Sequence, residues 1–210
     1  MAGCGAFVTA ARLTRTALLL AAVLGATACE VPSVTEPVYL PLAVGNRWVY
    51  EEREDGESSG VAVIEVVARE EPGFRLGVEA DSSRSAHVRS VDSTLYLRPA
   101  GRNEWRTMLS DDPARRCTEV MLVGTGGDYR SEYIGWFSSG ANHYRDCQAL
   151  QCRSSGFAFL FGWSNWRHEV YAPSVGLVYY ADSTGFWSFF FGSSWSRTEW
   201  FLRDRSIADR

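Results

Sequence analysis

The feature that most constrains this chain is a two-residue alternation of apolar and polar side chains. Phe74, Leu76 and Val78 fall on one face of an extended segment, while Arg75 falls on the other. Successive side chains of a β-strand point to opposite faces, so the pattern predicts a strand with one buried side. Similar segments recur between turn residues, as in the β-branched run at 60–70. The sequence therefore predicts an all-β, mainly antiparallel fold, a curved meander sheet that forms a half-barrel or barrel, with at most one or two short helices.

The alternation and the turn residues place the predicted elements. The predicted strands are 47–53, 60–70, 74–81, 94–99, 104–109, 118–123, 129–137, 156–162, 167–172, 177–182, 186–191 and 197–203. The predicted turns are 55–56, 71–73, 100–101, 124–128, 138–142, 173–176 and 182–185. Two segments could instead be short helices: 111–120, with Asp112 as its cap, and 142–152, capped by Asn142.

The first 28 residues are typical of a secretory signal. Arg12 and Arg15 precede an uncharged, Leu- and Ala-rich run at 16–28, which is shorter than the ~20 residues that span a bilayer. The following LGATAC stretch resembles a bacterial lipobox, which implies cleavage before Cys29 and acylation of that cysteine. The alternative is an ordinary signal peptide cut near Ala28.

This leader sets the expected domain organisation and location. We expect a lipoprotein signal peptide at 1–28, a lipid-anchored tether at 29–37 and a single β-domain at 38–210. Acyl chains contribute ~0.8 kcal/mol per buried CH₂, so the lipid on Cys29 would hold the protein on a membrane. Glu30 follows the cysteine, whereas an Asp there often signals retention in the inner membrane of such lipoproteins. We therefore expect a bacterial envelope protein, anchored in the outer membrane.

Charge excludes several classes of function. Removing the leader leaves 19 arginines against 25 acidic residues, a net charge of about −6, which disfavours nucleic acid as a partner. The sequence contains no lysine, which excludes a lysine nucleophile, a Schiff base and a phosphate-loop lysine.

The stretch PLAVGNRWVY at 41–50 predicts the corner through which the chain enters the sheet. Pro41 has a fixed φ and no N–H to donate, and Gly45 and Asn46 tolerate left-handed backbone. Trp48 and Tyr50 then share one face of the first strand, where rings of this size bury ~150 to 250 Å² each. We interpret the segment as a structural corner held by two rings.

The same stretch is similar to the P-L-x-x-G-N-x-W-x-Y opening of a loose group of bacterial exported lipoproteins, mostly of unknown function. A second stretch, APSVGLV at 172–178, resembles the A-P-x-V-G-L-V signature of that group and includes Pro173 and Gly176. The resemblance implies a curved antiparallel sheet or half-barrel, and it implies no catalytic residues.

Three cysteines remain after the leader and the acylated Cys29. Cys117, Cys147 and Cys152 would lie in an oxidising compartment, so we expect one disulfide among them and one leftover thiol. The alternative is a Cys₃His zinc site completed by His143, but its spacing matches no standard zinc motif. We expect a disulfide, no metal and no cofactor.

Several motifs of common enzymes are absent from the sequence. It contains no S-x-x-K, H-E-x-x-H or C-x-x-C, and its three histidines are scattered. We therefore expect no enzymatic activity.

An unusual concentration of aromatic residues lies near the C-terminus. Of the 28 aromatic residues, 16 lie between Phe157 and Phe201. We expect most of these rings to fill the core, since burying them is the strongest available driving force. They could instead line an apolar ligand cleft, whose candidate residues are Phe157, Phe159, Phe161 and Trp163 on one strand and Phe189 and Phe191 on another. A third interpretation places Trp163, Trp166 and Trp195 at a rim, where they stack on sugars or lie in a membrane interface.

The sequence thus favours a non-enzymatic envelope lipoprotein with a structural or interaction role. Its expected partners are the membrane, through the N-terminal lipid, and an envelope protein. The alternative function is the binding of a lipid or another hydrophobic ligand in an aromatic-lined half-barrel.

Overall fold

The computed structural model describes residues 38–79, 81–99, 101–110, 130–158 and 160–208, and these form one antiparallel sheet. Its eleven strands are β1 (Arg47–Glu54), β2 (Glu57–Glu70), β3 (Gly73–Val78), β4 (Asp81–Val91), β5 (Thr94–Pro99), β6 (Arg106–Leu109), β7 (Arg130–Ser139), β8 (Asn142–Ala158), β9 (Phe161–Ala172), β10 (Gly176–Ser188) and β11 (Gly192–Ser206). No helix occurs among these residues, so the predicted all-β fold is confirmed.

The strand order makes the sheet a meander in two halves. The order is β6-β5-β4-β3-β2-β1-β11-β10-β9-β8-β7, so the first and last strands of the chain pair in the middle of the sheet. The two edge strands of the described sheet, β6 and β7, approach each other. The Ser131 hydroxyl in β7 donates a 3.0 Å hydrogen bond to the carbonyl of Ser110, directly after β6. Sheet curvature thus produces a nearly closed barrel.

The inward face of the barrel carries the hydrophobic core. Trp48, Tyr50, Ile64, Tyr171 and Leu177 are among its largest fully buried side chains. These residues come from β1, β2, β9 and β10, so the core joins both halves of the sheet. Burial of this apolar surface is the main force that holds the meander curved.

The entry corner is joined to the last described residue of the chain, Ala208. Gly45 has a φ of 90°, and the Asn46 amide donates to the Pro41 carbonyl at 2.8 Å. The Asn46 side-chain oxygen also accepts a hydrogen bond from the backbone of Ala208 at 2.7 Å. Asn46 is fully buried, and both the N–H and the oxygen of its side-chain amide are hydrogen-bonded to backbone groups.

The two sequence stretches that resemble exported lipoproteins contact each other at this corner. The Trp48 indole donates to the Val175 carbonyl at 2.6 Å, and the Tyr50 hydroxyl donates to the Leu177 carbonyl at 3.0 Å. Gly176 lies against the Trp48 ring, where a Cβ would come within 2.8 Å of the indole nitrogen. Pro173 begins the turn between β9 and β10 that precedes these contacts.

The barrel has two distinct ends. The Ser174 backbone N–H donates to the Val38 carbonyl at 2.7 Å, which places the first described residue beside the β9–β10 turn. We call this the entry end. The β1–β2, β8–β9 and β10–β11 turns lie at the opposite end, which we call the distal end, because each antiparallel strand reverses the chain direction.

Several local predictions differ from the structure. Residues 142–152 belong to strand β8 rather than to a helix, because β8 pairs with β7 on one side and with β9 on the other. The predicted turn at 182–185 lies inside β10. Residues 189–191, predicted as strand, form the β10–β11 turn, whereas the predicted helix at 111–120, strand at 118–123 and turn at 124–128 lie outside the described residues.

Candidate functional site

Two long hairpins extend beyond the other described strands at the distal end of the barrel. The last β1 pairing with β11 joins Glu54 to Thr198, and β11 continues beyond it to Gly192. The first residue of β7 pairs with Gln151, and β8 continues to Ala158. Because β9 and β10 pair along their whole length, the hairpins form a four-stranded extension. At ~3.4 Å per residue, its length is about 20 Å.

This extension carries a dense group of exposed aromatic side chains, which we call the aromatic tip. Their exposed fractions run from 43% for Phe161 to 85% for Phe191. The members are Phe157, Phe161, Trp163, Phe186, Trp187, Phe189, Phe190, Phe191 and Trp195. Single exposed apolar residues are normal on a protein surface, whereas nine large exposed rings on one four-stranded segment are unusual.

The rings of the aromatic tip lie on both faces of the extension and at its apex. The inward face carries Phe161, Trp163 and Phe186, since Trp163 and Phe186 are direct cross-strand partners. The outward face carries Phe157, Trp187 and Trp195, and the Phe157 and Trp187 rings stack with centroids 5.4 Å apart. The remaining three, Phe189, Phe190 and Phe191, form the turn at the apex.

Glycines position the three tryptophans of the tip. Each indole lies over a glycine of the neighbouring strand, where a Cβ would overlap the ring. The pairs are Trp163 over Gly156, Trp187 over Gly162 and Trp195 over Gly185. Glycine in a strand interior often marks such a close approach, and here it lets the rings lie flat against the sheet.

The two hairpin ends are joined to each other. The backbone N–H of Phe189 donates to the Leu160 carbonyl at 3.1 Å, which links the β10–β11 turn to the β8–β9 turn. The Phe190 N–H donates to the Ser188 hydroxyl at 3.2 Å, and the Phe189 and Phe190 rings meet edge to face. These contacts fix the apex as one unit.

No charged residue occurs in the sequence of the tip. Residues 154–166 and 183–196 contain no Asp, Glu, Arg or Lys, and Ser, Gly, Asn and Thr occupy most positions between the rings. The nearest basic residue of β11, Arg197, pairs with Glu199 at 2.7 Å and lies over the Trp166 ring at 5.7 Å. The charged part of the surface therefore begins where the tip ends.

The predicted filling of the core is wrong for the nine rings of the aromatic tip, which are exposed, while the apolar cleft stays a prediction. Phe157 lies in β8 while Phe161 and Trp163 lie in β9, because the chain turns between them, and Phe159 lies outside the described residues. Phe189 and Phe191 are turn residues exposed by 76% and 85%. The rim also stays a prediction: Trp163 and Trp195 are exposed by 50% and 66%, and Trp166 is partly buried.

Sequence reasoning missed three members of the tip, Phe186, Trp187 and Phe190. The signal that could have found them is the combination of aromatic residues with two long charge-free runs rich in Gly and Ser. A core strand would alternate its rings with polar residues, whereas three consecutive phenylalanines cannot all point to one face.

The barrel interior below the tip contains a buried polar group of five residues. The Glu169 carboxylate is fully buried and accepts a 2.6 Å hydrogen bond from the Tyr171 hydroxyl. Arg167 Nε donates to Asp182 Oδ2 at 3.2 Å, and the Tyr180 hydroxyl lies 3.4 Å from the same oxygen. Burial raises the pKa of Tyr180 well above its ordinary value, so this hydroxyl stays protonated and remains a hydrogen-bond donor.

The three histidines have separate partners. His87 Nε2 lies 2.6 Å from the Glu70 carboxylate, and this hydrogen bond lowers the pKa of Glu70. His143 bonds to a serine hydroxyl of β7, while His168 packs against Tyr179 on the outer face and has its pKa lowered by burial. The structure does not gather them into one constellation.

The predicted disulfide is not supported among the described residues, where its one possible pairing joins Cys147 to Cys152. These two residues lie five positions apart on one extended strand, which separates them by about 16 Å. Disulfide formation needs Cα atoms within about 7 Å. Cys117 lies outside the described residues, among which no group of three metal-ligating side chains occurs.

In the native protein at pH 8, we expect a maleimide to modify Cys147 about a hundred times more slowly than in the unfolded chain. Burial raises the pKa of this thiol from 9.0 to about 11, and the thiolate is the reactive form. Timed labelling with and without urea, followed by mass spectrometry of the Cys147 peptide, measures the ratio. Equal rates in the two samples would contradict the burial of this residue.

Two small cavities lie near the entry end, away from the tip. One, of about 220 Å³, is lined by Val38 and Phe74 among others, and the second, of about 210 Å³, by Tyr144 and Leu202 among others. Neither is lined by a residue of the aromatic tip.

The described part of the chain also lacks any helix long and apolar enough to cross a membrane. The fold and site thus define an all-β protein with an exposed aromatic surface at one end. No protein-family model and no curated protein matches the sequence.

Two solved structures are similar in fold over 81% of this chain and 99% of their own. One is a candidate exported protein with a YmcC-like fold from Bacteroides fragilis NCTC 9343, with 12% sequence identity and a TM-score of 0.43. The other is a candidate lipoprotein from Parabacteroides distasonis ATCC 8503, with 14% identity and a TM-score of 0.42.

Proposed function

We propose that this chain is a non-enzymatic, lipid-anchored protein of the bacterial envelope that uses the aromatic tip as its interaction surface. The observation that carries the proposal is the exposure of nine aromatic side chains at one end of the barrel. Exposing so much apolar surface opposes solubility, so a surface of this kind is typical of a site that another molecule covers.

The lipobox-like leader supports the anchoring part of the proposal. Acylation at Cys29 would attach the chain to a membrane through residues 29–37, whose extended length is at most ~30 Å. The chain enters the barrel at Val38, beside the β9–β10 turn. β10 runs from there to the tip, from Gly176 to Ser188, which is about 40 Å at ~3.3 Å per residue. The interaction surface therefore lies at the opposite end of the barrel from Val38, the first described residue.

The composition of the tip supports a binding role rather than a catalytic one. General acid–base and nucleophilic catalysis need titratable groups within hydrogen-bond reach of a substrate. Residues 154–166 and 183–196 contain neither a charged residue nor His or Cys. The histidines His87, His143 and His168 belong to β4, β8 and β9, each with its own partner.

A hydrophobic ligand inside the barrel is the alternative. Ligand cavities usually hold ~300 to 1,000 Å³, whereas the two cavities near the entry end hold about 220 and 210 Å³. The interior beside Tyr50 and Tyr171 is filled by fully buried side chains. We therefore prefer the external surface.

Photo-crosslinking in cells tests the proposal. The full acylated chain would carry a benzophenone amino acid in place of Phe190 at the tip or, as a control, in place of Val44, which is 52% exposed at the entry end. We expect an adduct with a lipid or a protein from position 190 and none of matching yield from position 44. Absence of any adduct at position 190 would contradict the proposal.

The same cells test the anchor. Incorporated palmitate is expected to label the wild-type chain, and Cys29→Ala is expected to abolish that label and to release the protein from the membrane fraction. Labelling that persists in Cys29→Ala would contradict acylation at this residue.

A further inference from the structure

We propose that the aromatic tip inserts into the interfacial region of a lipid bilayer. This inference rests on the proposed function and names the chemistry of the partner: a phospholipid surface that needs no net negative charge.

The shape of the tip favours a partner that surrounds it. The exposed rings include Phe186 on the inward face, Trp187 on the outward face and Phe191 at the apex. A flat or concave protein surface would cover one face of a four-stranded extension and leave the other in water. A bilayer interface is fluid and closes around an inserted object on every side, so it buries all three sets of rings together.

The chemistry of the tip favours the interface over other surfaces. Tryptophan combines a large apolar ring with one N–H donor and is enriched at the level of lipid headgroups. Trp163, Trp187 and Trp195 lie between the apex and the barrel, while the apex itself consists of phenylalanines. Purely apolar rings thus lead the insertion, and rings with a polar atom follow at headgroup depth.

The absence of charge sets the lipid specificity. Residues 154–166 and 183–196 contain no charged side chain, and the whole chain carries a net charge of −4. Attraction to anionic lipids requires clusters of Lys or Arg near the membrane surface. The tip has none, so its insertion depends on apolar burial and is insensitive to salt.

The sheet itself limits the depth of insertion. From Trp195 to Ser188 the tip spans four cross-strand rows, which are three steps of ~3.4 Å or about 10 Å. Arg197 of β11 still bonds to Asp55 through its carbonyl and its N–H, but beyond it no described strand pairs with this edge of β11. Unpaired backbone groups are not tolerated in the hydrocarbon core, whereas interfacial elements lie ~5 to 10 Å into the headgroup boundary. The tip therefore inserts shallowly.

Vesicle flotation tests the inference with the chain from Glu30 to Arg210, which lacks the leader and the anchor. Residues from Glu36 to Arg210 form one compact unit with its own core, so this chain folds without the leader. The probe is a vesicle of pure phosphatidylcholine. We expect the protein to float with the vesicles, with affinities in low and in high salt that agree within about twofold, since screening weakens only charge-driven binding.

The apex variant F189S/F190S/F191S is expected to bind the same vesicles about tenfold or more weakly, because it removes three buried rings from the bound state. The control variant V44S/V91S removes exposed apolar side chains elsewhere and is expected to bind like the wild type. Circular dichroism establishes whether each variant is folded. If the triple variant is not folded, Phe191→Ser alone, which changes the most exposed ring, replaces it.

Three results would overturn the inference: equal flotation of the apex variant, binding that needs anionic lipid and is lost in high salt, or no flotation of the wild type.

Photo-crosslinking at position 190 distinguishes failure of the bilayer proposal from failure of the interaction-surface proposal. A lipid adduct at position 190 supports both, whereas a protein adduct without flotation supports the interaction surface and overturns the bilayer. A dimer in sedimentation velocity that the apex variant abolishes, again without flotation, assigns the tip to a second copy of the chain.

Discussion

Replacing Trp48 with alanine is expected to lower the free energy of unfolding by about 4 kcal/mol. The Trp48 side chain is 1% exposed, and large-to-alanine substitutions at such aromatic sites cost ~3 to 5 kcal/mol through lost burial and the cavity left behind. Its indole N–H also satisfies the Val175 carbonyl at 2.6 Å. The substitution therefore removes both the packing and the hydrogen bond that connect the entry corner to the β9–β10 turn.

Trp195→Ala is the matched control for this prediction. The same residue type is removed, but Trp195 is 66% exposed at the tip, so the expected change stays within ~0.5 kcal/mol. Equilibrium urea unfolding, monitored by far-ultraviolet circular dichroism, measures both variants. Similar destabilisation by the two substitutions would contradict the assignment of Trp48 to the core and of Trp195 to the surface.

Asp182→Ala is expected to lower the free energy of unfolding by about 3 kcal/mol. Asp182 pairs with Arg167 at 3.2 Å, and their side chains are 21% and 7% exposed. Removing one partner of a buried pair costs ~3 to 5 kcal/mol, because the other charge stays buried with less compensation. The same carboxylate also lies 3.4 Å from the Tyr180 hydroxyl, which loses that partner.

The comparison for Asp182 is an exposed ion pair of similar length. Arg47 and Glu79 are 3.0 Å apart with side chains 42% and 64% exposed, and such surface pairs contribute ~0 to 1 kcal/mol. Glu79→Ala is therefore expected to change stability by less than ~1 kcal/mol in the same urea experiment. An effect of Asp182→Ala as small as that of Glu79→Ala would show that the Arg167 guanidinium is well solvated.

The class of fold could be predicted because strand formation leaves a local signal. Each strand of a sheet with one buried side repeats its apolar residues at every second position. Turn residues such as Asp55 and Gly56 separate one alternating segment from the next. The β1–β2 turn lies at these two residues, and β5 ends at Pro99 as predicted. Pairing order has no such local signal, so the junction of β1 with β11 could not be predicted.

Two local errors have the same physical cause. Asn142 is a good helix cap and Gly185 a good turn residue, but both lie in strands. Pairing with β7 and β9 outweighs the weak helix signal of 142–152, and Gly185 makes room for the Trp195 ring of the neighbouring strand. Local propensity amounts to tenths of a kcal/mol per residue, so contacts with neighbouring strands decide these positions.

The candidate site could be predicted only in part. The sequence places 16 aromatic residues after Phe157, but it does not state whether they face a core or water. Burial requires an opposing surface, and the four-stranded extension of β8–β11 has none among the described residues. The rings are exposed because β8–β11 extend beyond β1 and β7, the described strands that flank them.

The sequence by itself determined the lipobox-like leader, the antiparallel strands and the aromatic, charge-free character of two C-terminal segments, since each of these is a property of neighbouring residues. Only the tertiary structure decided that Phe157 and Trp187 stack on the outward face, that Phe189 touches the β8–β9 turn, and that Cys147 and Cys152 stay apart. These features depend on strand register and on the relative lengths of paired strands, which contacts distant in sequence fix.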